Sequence, residues 1–164
     1  MIENVRPNIA HLKLAELEEK GKLKAVVTQN IDGLHQAAFS KKVLELHGSI
    51  LRSYCSSCRK PYSAELMNKG TGVPRCTCGG VIRPDIVLYE EPLDDDIVSE
   101  AISFIRRAEV LIIGGTSLNV YPAAGLINYY RGNKLVLVNL SETPYDGEAD
   151  LVIHEKIGKV FGGL

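Results

Sequence analysis

The sequence predicts an α/β domain built on a parallel sheet and interrupted by a small cysteine-rich insertion. Three observations predict it. Short apolar runs of strand length alternate with helix-like segments. Several of those runs end in polar residues, as buried parallel strands do at the edge where ligands bind. All four cysteines fall between positions 52 and 83, where helical periodicity lapses and glycines gather.

In chain order, "RPNIAHLKLAELEEKG" reads as a helix, with Pro7 near its start, Ile9, Ala10, Leu14 and Leu17 along one side and Gly21 as terminator. "LKAVVTQ" is a buried strand, "DGLHQAAF" a short helix and "KVLELHG" a second strand. After the cysteine stretch, "DIVLYEE" returns to a strand pattern. "DDDIVSEAISFIRRAE" is an amphipathic helix with Ile97, Ala101, Ile102, Ile105 and Ala108 as its buried stripe. Asp94, Asp95 and Asp96 suit that helix's amino end better than a catalytic cluster. "EVLIIGGTS" is strand then loop, "YPAAGLINYYRG" helix, "KLVLVNLSETP" strand then loop, and "DLVIH" a last strand. Gly48 and Pro84 mark the seams of the insertion.

With 164 residues there is chain for one sizeable core plus a small module. A net charge of −1 gives no global attraction to nucleic acid or a membrane surface. No run of 18 apolar residues is present, so no spanning helix is expected. The segment "MIENVRPNIAHLK" lacks the features of a signal peptide, which predicts a cytoplasmic location with reduced cysteines.

Cys55-x-x-Cys58 and Cys76-x-Cys78 form two close pairs with 17 residues between them. Tetrahedral zinc needs such knuckles, each supplying two thiolates, and Gly79 and Gly80 suit a turn where amides approach sulfur. Free buried cysteines or a redox pair are the alternatives. Four thiolates close the coordination shell, so the metal is structural and His47, eight residues upstream of Cys55, is not needed as a ligand. Between Arg52 and Arg83, six basic residues (Arg52, Arg59, Lys60, Lys69, Arg75, Arg83) face only Glu65. With Tyr54 and Tyr62 alone for stacking, no clear nucleic-acid surface follows.

"EVLIIGGTSLNVYP" sets two glycines and two hydroxyls between a strand and a helix, a loop able to approach a ribose or phosphate. A glycine turn chosen for helix–strand packing explains it equally well. Asn139 ends the next strand, and "TQNIDGLHQ" supplies Gln29, Asn30 and Asp32 at the same carboxyl edge. His11, His35 and His154 read as packing or solvent residues.

Taken in this order, "TQNIDGLH", "ELHGS", the paired-cysteine insertion, "IRPDIVLYEE", "GTSLNVYPAA" and "VNLSETPYD" closely resemble the sirtuins, the NAD-dependent protein-lysine deacylases. The resemblance runs from about Pro7 to the end. It implies a Rossmann-like NAD-binding domain over 1–50 and 84–164, with a zinc-ribbon-like insertion over 51–83. It implies that His47 is the general base, and that Gln29, Asn30, Ile31 and Asp32 face the nicotinamide and its ribose. Gly115, Thr116 and Ser117 would contact ribose and phosphate, Asn139, Leu140 and Ser141 the adenosine, and Ile157 would close over the adenine. Val87 and Tyr89 would line an acyl-lysine tunnel. The segments "LYEE" and "SLNVY", the latter with Val120, would sandwich an acyl-lysine peptide by β-augmentation. In that chemistry the acyl oxygen attacks the ribose carbon bearing nicotinamide, and His47 takes a proton from a ribose hydroxyl. Free lysine, nicotinamide and an O-acyl-ADP-ribose result.

The family also opens with a strand, a GAGxS loop and a GxPDFR segment, none of which is found in this sequence. The expectation is therefore an amino-terminally truncated sirtuin, its sheet lacking the first βα unit and a central strand, with open edges in its place. NAD binding is then expected to be weak or absent unless another polypeptide supplies that unit. A non-catalytic remnant that binds an acylated peptide or a partner chain is the second reading, and a zinc module acting on nucleic acid the third.

Overall fold

A computed structural model describes residues 5–68 and 72–164; Lys69, one of the basic residues counted above, lies outside the described residues. Helix α1 (Ile9–Glu19) is followed by β1 (Val26–Thr28), α2 (Leu34–Ala37) and β2 (Val43–Glu45). Strands β3 (Gly48–Cys55), β4 (Pro61–Ser63) and β5 (Ile82–Ile86) come next. The chain closes with α3 (Asp95–Arg107), β6 (Leu111–Gly114), β7 (Leu135–Val138), β8 (Leu151–Ile153) and α4 (Ile157–Gly162).

Two parallel sheets and one antiparallel sheet result. β1 pairs with β2 in parallel, and β6, β7 and β8 form a second parallel sheet in that order. The parallel framework is thus split into two sheets. Ile112, in the middle of β6, is 46% exposed although its side chain is apolar. Strands β4, β3 and β5 form the antiparallel sheet, with β3 central. Pro84 sits on the edge strand β5, where a missing N–H costs no ladder bond.

The main core lies between α3 and the parallel strands. It gathers Leu44, Leu46, Ala101, Ile105, Ala123 and Leu126, with Ile97, Ile102, Phe104 and Leu111 packed against it. Ile97, Ala101, Ile102 and Ile105 of the stripe read from α3 are therefore on the face that packs, while Ala108 is the helix's C-cap and stands outside that cluster. Asp94 caps that helix: its carboxylate accepts from the Asp96 and Ile97 amides at 3.0 Å. Helix α1 is capped by Asn8 and closed by Gly21 at φ +69°, but of its expected stripe only Ala10 is buried and Ile9 is 48% exposed. Ile9 instead lies beside Gly158 and Gly162 of α4.

Two elements differ from expectation. The strand read over "DIVLYEE" lies earlier, at Ile82–Ile86. Arg83 explains the shift: its guanidinium grips both Glu91 carboxylate oxygens at 2.6 and 2.9 Å, and the Leu88 amide donates to Glu91 Oε2. That clamp folds 88–91 into a turn with Glu90 at φ +70°. The helix read over "YPAAGLINYYRG" is a 3-10 stretch, Ala123–Tyr129. Gly125 and Asn128 have low α-helical propensity, and burial of Ala123, Ala124, Leu126 and Ile127 holds the tighter winding.

Gly48 joins the two parts of the molecule. It opens β3 at φ +74°, and a Cβ there would stand 2.0 Å from the Asp85 carbonyl oxygen. Gly48→Ala is expected to cost at least about 3 kcal/mol, from left-handed strain plus a clash with backbone that cannot swing away. Chemical denaturation checks this. A midpoint within experimental error of the parent would show that β3 and β5 can part without cost.

Candidate functional site

Strand ends build the site. β2 delivers His47 two residues past its last residue, and the His47 side chain is half-buried. Its Nδ1 lies 3.0 Å from the Gln29 carbonyl oxygen, just beyond β1. A backbone carbonyl can only accept, so Nδ1 carries a proton, and in the neutral imidazole the lone pair is on Nε2. The Gln29 side chain turns the other way, with Nε2 3.5 Å from Thr116 Oγ1. The ends of β1, β2 and β6 therefore meet.

The β6–β7 end is open. Gly115, at φ +64°, has nothing within 4 Å of where its Cβ would be, and its amide donates to the Val138 carbonyl at 3.1 Å. Thr116 Oγ1 accepts from the Leu118 amide at 3.3 Å, and Ser117 is exposed. Asn139 donates from Nδ2 to the Ser141 carbonyl at 2.9 Å, while Leu140 is 63% exposed. Ile157, at the start of α4, reaches over Gly114, its Cδ1 2.4 Å from where a Gly114 Cβ would lie. Bare backbone, two hydroxyls and an asparagine along one strand edge form a donor set that fits a ribose and phosphates.

Beyond β1, Asn30 is exposed, and Ile31 holds the Ile50 amide through its carbonyl at 3.0 Å. Asp32 Oδ1 accepts from the amide of Leu34, the first residue of α2, at 2.9 Å, while Gly33 is the N-cap. The Val87 amide donates to the His47 carbonyl at 3.1 Å, which ties the segment after β5 to the histidine. Tyr89 is 98% exposed, and Val120 and Tyr121 are exposed as well.

The four cysteines converge as their spacing predicts. Their sulfurs all lie within 4.8 Å of one another, with Cys55–Cys78 at 3.5 Å and Cys58–Cys76 at 3.6 Å. These separations are far too long for a disulfide and close to the ~3.8 Å edge of a tetrahedron with zinc–sulfur bonds of about 2.3 Å. Backbone amides aim at the sulfurs. The Cys58 amide, then that of Ser57, lowers the Cys55 thiol pKa against its burial. The Cys78 amide and the Tyr62 hydroxyl lower Cys76 to about 5. The Gly80 amide pulls Cys78 the same way, yet the three neighbouring sulfurs push it up to about 12. Four thiolates repel one another unless a cation sits among them, so the donor set fits a zinc ion that closes its own shell. Gly80 has to be glycine for this approach: a Cβ would stand 2.5 Å from Ser57 Oγ and 2.7 Å from Cys55 Sγ.

One contact here escapes sequence reasoning. Tyr62 Oη donates to Cys76 Sγ at 3.1 Å, and that sulfur, with burial, pushes the phenol up to about 12. In the sequence Tyr62 reads only as a stacking surface. The pairing of β4 with β3 is what turns its hydroxyl toward the metal cluster.

The remaining histidines take local roles. His11 closes the α1 capping box with Asn8, the His35 ring lies 4.6 Å from it, and His154 Nε2 approaches Asp146 Oδ2 at 3.2 Å.

A family model described as the Sir2 family matches residues 1–122. The chain belongs to the Sir2 family. It is 63% identical over 161 residues to a protein of Clostridium perfringens named NAD-dependent protein deacetylase, covering 97% of this chain and 66% of that one. It is 47% identical over 158 residues to a protein of the same name from Saccharolobus solfataricus, covering 93% and 63%. Among solved structures, a Sir2 with p53 peptide and NAD+ superposes with a TM-score of 0.92 at 47% identity, covering 97% of this chain and 69% of that chain. A Sir2 bound to acetylated peptide gives 0.92 at 46% identity, covering 98% and 70%. This Sir2-family chain spans just under two thirds of the length of the C. perfringens relative. Among the described residues no helix is long and apolar enough to cross a membrane.

Proposed function

We propose that this chain acts in the NAD-dependent removal of acyl groups from protein lysines. The observation that carries the reading is the setting of His47. Its Nδ1 is committed to the Gln29 carbonyl, so Nε2 is left as a base at the edge where β1, β2 and β6 end. The names of the 63% and 47% identical relatives support the same activity, as do Sir2 structures holding NAD+ and acetylated peptide.

Bound NAD would supply a ribose carbon activated by its nicotinamide leaving group. Gly115, Thr116 and Ser117 would hold ribose and phosphate, and Asn139, Leu140 and Ser141 the adenosine, with Ile157 over the adenine. Gln29, Asn30, Ile31 and Asp32 would border the nicotinamide ribose. His47 Nε2 would take the proton of a ribose hydroxyl as the acyl group passes from lysine to the ribose, the group transfer that makes the enzyme a transferase. Val87, Tyr89 and Val120 would flank an acyl-lysine peptide held through main-chain bonds. Zinc on Cys55, Cys58, Cys76 and Cys78 would be structural. Four cysteines placed for a metal also fit a cytoplasmic setting.

The test is nicotinamide release from NAD and an acetyl-lysine peptide by zinc-loaded protein. Peptide-dependent release is expected. Acyl-peptide binding without release would favour a non-catalytic binding role, and the absence of both binding and release would sink the proposal.

A further inference from the structure

We propose that Tyr62 is a positioning residue for the zinc site, its hydroxyl capping the Cys76 thiolate and so setting how tightly the module holds its metal. The inference rests on the zinc reading of the four cysteines.

The sulfurs are not equivalent. Cys55 and Cys76 are buried, at 0% and 5% exposure, whereas Cys58 and Cys78 are exposed and can draw on water. Cys55, cut off from solvent, has two backbone amides, those of Cys58 and Ser57. Cys76, also cut off, has the backbone amide of Cys78. The Tyr62 hydroxyl donates to its sulfur at 3.1 Å. Backbone amides are thus directed at both buried sulfurs, and Cys76 Sγ also receives the Tyr62 hydroxyl, with Thr77 Oγ1 farther off at 3.9 Å.

The tyrosine is placed for this. Tyr62 pairs with Ser53 across β3 and β4, and among the described residues it is the partly buried hydrophobic residue packed against the module's small cluster of Cys55, Cys76 and Ile82. Lys60 lies above its ring, 5.7 Å from the centroid. A donor to a metal-bound thiolate draws charge off sulfur and fixes its direction, and partners of this kind are typically worth ten- to a hundredfold in metal affinity.

Tyr62→Phe removes the hydroxyl and keeps the ring. Tyr54→Phe is the control, because Tyr54 lies in the same sheet but stacks on Arg59 at 3.9 Å and is not bonded to sulfur. In competition with a chromophoric chelator, Tyr62→Phe is expected to bind zinc about tenfold less tightly than the parent, and Tyr54→Phe within twofold of it. With cobalt(II) in place of zinc, the tetrahedral d–d bands should persist in Tyr62→Phe while the sulfur-to-metal charge-transfer band moves to lower energy. A packing role alone would not move that band. Equal zinc affinity with an unmoved band overturns the proposal. Should Tyr62→Phe fail to fold, 3-fluorotyrosine at position 62 keeps the ring and strengthens the donor. The band should then move to higher energy, and an unmoved band again overturns the proposal. A parent protein that binds neither metal refutes the zinc reading itself, and Tyr62 with it.

Discussion

Stripping zinc is expected to unfold the β3–β4–β5 module while the α/β part stays folded. Among the described residues the module's buried cluster is Cys55, Cys76 and Ile82, so two of its three members belong to the cysteine set that fits the metal. That apolar content is far too small to offset the ordering of some thirty residues, each costing about 1–2 kcal/mol of backbone entropy. The metal has to supply the difference, and structural zinc binds with roughly 10–16 kcal/mol at neutral pH. The main core shares no residue with this cluster, being built from Leu44, Leu46, Ala101, Ile105, Ala123 and Leu126. Hydrogen exchange after chelation should therefore show amides such as Cys55 and Cys76 losing protection, while those of α3 and β7 keep theirs. Protection of the module that survives proven metal loss would show that the strands hold without it. The consequence reaches the site: β3 starts at Gly48, next to His47, and the Val87 amide bonds to the His47 carbonyl. Metal loss should thus lower activity without any open coordination position being involved.

Legibility followed the range of the interactions concerned. The stripe of α3 and its Asp94 cap are local, and both were readable from spacing alone. The four cysteines were readable because two short knuckles dictate their own geometry. The place where β5 ends was not, since it is fixed by Arg83 reaching Glu91 eight residues on. Alternation of apolar residues carries no trace of that pair. Tyr62 was likewise hidden, because its hydroxyl meets Cys76 only once β4 has paired with β3. Gln29 shows a finer failure: its residue type marked the strand end, but its backbone carbonyl is what touches His47, and a sequence does not say which atom works.

His47→Ala is expected to lower acyl transfer by about 10²–10⁴-fold, the usual contribution of a positioned general base. In barrier terms that is roughly 3–5 kcal/mol. The structural cost should be far smaller. The imidazole is half-buried and makes one hydrogen bond, to Gln29, worth about 1 kcal/mol net. For a chain of this size, 1 kcal/mol moves the melting temperature by only about 2–4 °C. The comparison of turnover with melting temperature therefore separates chemistry from folding. A large fall in rate with a small fall in stability assigns the proton transfer to His47 Nε2. A rate kept within a few-fold of the parent would remove the base from this position, and would leave the Nδ1 bond to Gln29 as a device for joining β1 to β2 and nothing more.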